Sequence, residues 1–267
     1  MLLGEKEEED SMFQREEIMF RRHTVLKAEM LSLSSKAPME YLELQYRGWS
    51  DGILSGVDIL VGENNLTIQP GVVIYQGKLF RMTEEEYIPY QANGKEMKLL
   101  IHFDECKEME EGKFFKTDFI LTENEDTRAG DMELVRFCLQ EGAILRDDYK
   151  NFADINTQYN TMNYLYGMYA GYKSPTLSPV IIREYVKEAS RCAGLDAVDF
   201  AFLLICNQGE NISKNSICMY IEQKLQKELP ENITNSELFH ELKKVLEIIR
   251  RPRQASFAVP RRKTIID

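Results

Sequence analysis

The chain has 267 residues, a formal charge of -11, 43% hydrophobic residues and 10% aromatic residues. So acidic a balance excludes a general nucleic-acid binder, because a phosphate backbone is met by a basic surface. No apolar run reaches the roughly 18 residues of a membrane span, and the length fits two modules better than one small domain.

The chain opens on MLLGEKEEED, an acidic lead with too little apolar content for a secretory signal. Residues 11–35 are expected to form one amphipathic helix. Met12, Met19, Leu26 and Leu33 recur every seventh residue, with Glu16, His23 and Met30 at the second seam position. A stripe of this kind buries Met12, Met19, Leu26, Met30 and Leu33 against its own domain or against a partner. Ser34, Ser35 and Pro38 are expected to end the helix, since proline biases the preceding residue away from helical backbone.

Residues 48–149 read as β-rich. Glycine and proline punctuate WSDGILSGVDILVGENNLTIQPGVVIYQGKLFRM, Trp49 to Met82, marking reversals between short strands. Leu66 and Ile68 alternate with Thr67 and Gln69, the period of a half-buried strand. Further strands are expected at 97–103, 114–121 and 132–137, separated by polar turns. Short strands at this spacing indicate a sandwich or barrel.

Residues 150–250 read as an all-α module. Ile155, Tyr159, Met162, Tyr166 and Tyr169 follow a helical rhythm and predict a helix after Asn151. Ser178 before Pro179 predicts the next helix start, Asp196 and Ser213 two more, and Thr234 with Glu237 a capping box. Leu238, Leu242, Val245 and Ile249 then share one face. The segment 251–267 is a basic, proline-interrupted tail. The expected class is α+β: a helical arm over 1–47, a β-rich sandwich or barrel, a helical domain and the tail.

Little in the chain points to catalysis. His23, His102 and His240 lie in separate segments with no ligand spacing, and no GxSxG, GxxxxGK[ST] or GxGxxG occurs. A hydrolase elbow and a phosphate cradle therefore lack their usual residues. Glu84–Glu86, Asp147–Asp148 and the turn from Glu123 to Asp131 read as solvated acidic turns. Cys106, Cys138, Cys192, Cys206 and Cys218 form no CxxC pair and read as reduced core thiols of a protein folded in a reducing compartment. The helix pair 197–207 and 213–228 has helix-turn-helix proportions but too few cations to read DNA. The tyrosines between 159 and 172 read as packing or a protein interface rather than a sugar platform. No catalytic residue, cofactor or metal is expected.

The order of motifs resembles a known family. SDGILSGVDILV, NNLTIQPGVVIYQGKLFRM and GDMELVRFCLQEGAILRDDY are similar to the small β-domain of phage tail and baseplate proteins. The resemblance spans roughly residues 10–150. It implies a structural component of a phage tail or contractile injection system, made in the bacterial cytoplasm and assembled in several copies with other baseplate subunits. It implies no active site.

The attachment devices would be the helical stripe of Met12, Met19, Leu26, Met30 and Leu33, and the tail cations Arg250, Arg251, Arg253, Arg261 and Arg262 with Phe257 as apolar anchor. Two other readings stay open. One is a carbohydrate- or receptor-binding tail module, the other a cell-wall hydrolase.

Overall fold

A computed structural model describes residues 25, 27–109, 112–123, 128–209 and 211–251. The chain divides into two units, Met1–Arg47 and Gly48–Asp267. The architecture is α+β, with a helix first, antiparallel strands next and helices last.

In the first unit α1 runs from Ala28 to Gln45. The expected stop before Pro38 is overturned, because the helix passes through that proline. The segment beyond it, Met39-Glu40-Tyr41-Leu42-Glu43-Leu44-Gln45, consists mostly of good helix formers, which favour resuming the helix after the bond that the proline removes. No residue of α1 is buried. Met30 and Leu33 are half-buried, so their expected burial is corrected. Met12, Met19 and Leu26 lie outside the described residues.

The second unit holds three small antiparallel sheets and a hairpin. One sheet joins β1 (Gly52–Gly56), β4 (Gly71–Tyr75) and β5 (Lys78–Met82) in the order β1-β4-β5. A second joins β2 (Ile59–Val61), β3 (Asn65–Ile68) and β6 (Glu86–Pro89) in the order β2-β3-β6. The third places β7 (Glu96–Phe103) between β10 (Thr117–Thr122) and β11 (Asp131–Cys138). The hairpin pairs β8 (Lys107–Met109) with β9 (Gly112–Phe114).

Burial follows position in the sheet. Leu66 and Ile68 of β3 are fully buried while Thr67 is half-buried, the alternation of a strand with one face on the core. Leu99, Leu100 and Ile101 of the central strand β7 are buried in succession, since both of its faces are covered.

The expected helix after Asn151 is not there. A short 3-10 helix spans Phe152–Asn156, and the chain then runs extended along the β-part. Bridges link Arg136 to Asn163, Ile53 to Tyr169 and Trp49 to Tyr172. The local chemistry opposes a helix. Asn160 and Lys173 have φ of 61° and 68°, and Gly167 lies so close to β11 that a Cβ there would come within 2.4 Å of the Leu134 carbonyl oxygen. The apolar rhythm of Ile155, Met162 and Tyr169 is real, but it marks residues buried from an extended segment.

The four remaining helices start where their caps predict. Ser178 accepts from the Val180 N–H at α2 (Pro179–Ala189), and Asp196 and Asp199 form a capping box at α3 (Ala197–Cys206). Ser213 caps α4 (Lys214–Leu225), and Thr234 with Glu237 boxes α5 (Asn235–Ile249). Leu238, Leu242, Val245 and Ile249 of α5 are all buried.

Strands and helices of this unit share one apolar core, from Ile53 and Leu66 through Phe152 to Tyr185 and Phe239. Asn211 ties the two parts together. Its side-chain amide donates to the carbonyls of Ile53 and Ala170, both at 2.9 Å. The cysteines are free; Cys192, Cys206 and Cys218 are half-buried and pack against this core, Cys138 is half-buried, and Cys106 is exposed.

Several carboxylates tie loops and helices to this core. Burial alone would raise Asp154, but the Lys150 N–H, the Thr157 hydroxyl and the Arg146 guanidinium outweigh it and hold the carboxyl below its ordinary range. Burial likewise opposes Glu241 and Asp196, and Lys227 with Lys244 in one case, and the Asp199 N–H with Lys224 in the other, pull them down. A depressed folded pKa contributes stability above the unfolded value, and that stability is lost as pH falls through the folded one. Melting temperature should therefore fall once pH drops below about 4, the unfolded carboxylate range. A Tm unchanged from pH 6 to pH 3 would contradict these pairings.

Candidate interaction surfaces

The motif that most resembles tail proteins is an internal packing device. At Gly52, with φ of 143°, a Cβ would come within 2.5 Å of the Ala170 backbone nitrogen and 2.7 Å of the Tyr169 carbonyl carbon. Gly56 and Gly71 face the same constraint, with the Pro70 oxygen at 2.3 Å and the Val57 nitrogen at 2.4 Å. These glycines let β1 lie between β4 and the 168–170 segment, which bonds it through Ile53 N–H to Met168 O at 2.8 Å. Ser-Asp-Gly and Pro-Gly thus serve close backbone approach.

Three features face outward. The first is α1, where Leu31, Met39, Tyr41 and Leu44 are 54%, 44%, 68% and 57% exposed. The second is α3. Its sequence AVDFAFLLIC is apolar at every position except Asp199. Phe202 and Leu203 pack inward, while Phe200, Leu204 and Ile205 remain exposed, Leu204 at 70%. A helix apolar all round has two faces to cover. That excess is legible in the sequence, where Asp199 alone is polar among the ten positions.

The third is a cleft of about 470 Å³ at the edges of β5, β6 and β10. Phe80, Ile88, Phe115 and Phe119 give it an apolar lining, and Arg81, Glu86 and Asp118 supply charge. Phe80 and Phe115 meet edge to face at 5.6 Å. The cleft offers room for an apolar side chain beside unextended strand edges.

Of the tail cations, the structure describes Arg250 and Arg251 alone. Arg250 pairs with Glu188 of α2 within the chain. Arg253, Phe257, Arg261 and Arg262 lie outside the described residues.

His102 sits on β7 with Nδ1 2.7 Å from Asp131 Oδ1 and Nε2 3.5 Å from Asp104 Oδ1, and this contact ties β7 to the start of β11. His240 bonds the Ser236 carbonyl at 2.6 Å on α5. Among the described residues no group of three or more His, Cys, Asp or Glu is placed to hold a metal ion, and no helix is long and apolar enough to cross a membrane.

No family model matches this chain, and no curated protein matches it. A solved structure, the crystal structure of TssK, superposes on 88% of this chain and 68% of its own, with a TM-score of 0.33 and 10% identity. A superposition this loose does not establish a shared fold.

Proposed function

We propose that this chain is a structural component of the baseplate region of a phage tail or phage-like contractile injection system. In this reading it assembles in several copies with other subunits in the bacterial cytoplasm and catalyses nothing. The observation that carries the proposal is α1, eighteen residues long with none buried and with apolar side chains exposed. Leaving such a helix in water forfeits burial of roughly 25 cal/mol per Å² of apolar surface, which a neighbouring subunit would supply. The motif order over residues 10–150 supports the same reading, since it resembles tail β-domains. The basic segment from Arg250 to Lys263 would add contacts to acidic neighbours, screened by salt.

The test is incorporation into particles. Leu31→Asp with Leu44→Asp removes two exposed apolar groups of α1. The purified variant should melt within about 2 °C of the parent, since surface changes usually stay within ±0.5 kcal/mol. Its copy number in isolated particles, read by quantitative mass spectrometry, should fall about tenfold or more, the equivalent of ~1.4 kcal/mol. Full incorporation of the double variant would refute the role given to the arm.

A further inference from the structure

We infer that the free edge of β10 pairs with β10 of a second copy of this chain, antiparallel about a two-fold axis through Ile120. The pairing joins the two β10-β7-β11 sheets into one continuous sheet across the dimer. It concerns this chain alone and stands whether or not the chain joins a baseplate.

Other strand edges of this unit are protected. At the far side of the same sheet, β11 carries a register shift between Glu133 and Val135. The 163–168 segment covers it, through Asn163 N–H to Arg136 O at 2.8 Å and Met168 N–H to Glu133 O at 2.9 Å. The 168–170 segment covers β1 in the same way. Lys78 and Arg81 guard β5, and β6 is short and ends on Pro89, ordinary devices that keep a strand edge from pairing. β10 has none of them. Its sequence TDFILT holds one charge, and it pairs with β7 without a register shift. The Asp104 N–H bonds the Lys116 carbonyl at 3.0 Å, so even-numbered residues of β10 bond β7 and odd-numbered ones turn their backbone outward. On that outward side the N–H and C=O of Thr117, Phe119 and Leu121 meet no hydrogen-bond partner among the described residues.

The sequence of the edge chooses a second copy. Centred on Ile120, an antiparallel pair sets Ile120 against Ile120, Phe119 against Leu121 and Asp118 against Thr122. Apolar residues then meet apolar ones on both faces, and the acid lies across from a hydroxyl. No like charges are opposed, and Asp118 is already paired with Lys116 of its own chain at 2.6 Å. A register centred on Phe119 instead sets the Asp118 carboxylate against Ile120 and loses this match. Phe119 and Leu121 carry the outward backbone groups, so they exchange the hydrogen bonds of the pair. Their side chains agree with this placement. Both pack on the apolar core from the edge, and Phe119 lines the cleft of about 470 Å³ whose walls include the buried Val57, Val73 and Ile101. Leu121 of the second copy, across from Phe119, comes to lie over that cleft and removes apolar wall from water.

Sedimentation velocity of the full chain over a dilution series tests the pairing. The parent should dimerise reversibly, since a six-residue edge is small beside the roughly 800 Å² per partner of a standard interface. Ile120→Lys opposes two cations at the axis and should weaken the dimer about tenfold or more with Tm preserved. Cross-linking reads the register. Ile120 sits at a non-bonded position, where facing Cα atoms are about 4.5 Å apart, within reach of a disulfide. In a Cys106→Ser background, Ile120→Cys should therefore form an intermolecular disulfide under mild oxidation. Asp118→Cys, about 14 Å from its own counterpart, should not. A parent that stays monomeric would leave the edge to a strand of another protein and overturn the inference. So would a dimer unchanged by Ile120→Lys, or cross-linking of Asp118→Cys as efficient as that of Ile120→Cys.

Discussion

Gly52→Ala should destabilise this protein by more than about 4 kcal/mol, enough to leave most of the chain insoluble or unfolded. The added methyl would meet backbone atoms on three sides: the Ala170 nitrogen at 2.5 Å, the Tyr169 carbonyl carbon at 2.7 Å and the Met168 oxygen at 2.9 Å. None belongs to a side chain that can turn away. The φ of 143° is also one that an L side chain rarely adopts. Moving β1 outward would break the bonds from Ile53 to Met168 and from Ala170 to Ile53, both 2.8 Å, and the Asn211 clamp on the same carbonyl. Gly77→Ala is the matched control. Gly77 has φ of 71° but nothing within 4 Å of a Cβ, so it should cost only the left-handed strain of about 1–2 kcal/mol. Urea unfolding of the two variants compares them directly. Similar losses at Gly52 and Gly77 would show that β1 is not held between two backbones.

Lys224→Met should cost about 3–5 kcal/mol, because it leaves a buried carboxylate without its cation. Asp199 is fully buried on α3 and receives the Lys224 ammonium at 2.7 Å and the Tyr220 hydroxyl at 2.8 Å. Tyr220 also meets the Tyr185 hydroxyl at 2.7 Å and stacks on Phe202 at 3.9 Å. The network therefore joins α2, α3 and α4 at one point. Its members should be strongly non-additive. Asp199→Asn with Lys224→Met removes both charges and keeps an acceptor for Tyr220, so the double variant should recover a large part of the loss. A double variant that loses the sum of the two single losses would show that the pair is not coupled.

Local chemistry made some of this fold legible. Each helix cap is a contact between a side chain and a backbone a few residues away, so Ser178, Asp196, Ser213 and Thr234 could be placed without knowing any partner. The pairing of Leu66 with Ile68 on one strand face is local in the same sense. The segment 157–177 defeated that reading because apolar spacing records burial and not backbone conformation. Met162 and Tyr169 are buried from an extended chain, and Gly167 and Gly171 hold it close to other backbone. Proline at position 38 is a second case: it costs an interior helix about 3 kcal/mol, yet α1 continues through it.

The sequence by itself determined the α+β class, the strand-then-helix order and the four C-terminal helix starts, because these depend on period, capping and turn residues within a few positions. The tertiary structure alone decided that Gly52 of the SDGILSG motif is sterically required, since the atoms it avoids lie more than a hundred positions away at Met168 to Ala170. It alone decided that α3 has an uncovered face and that α1 is unburied.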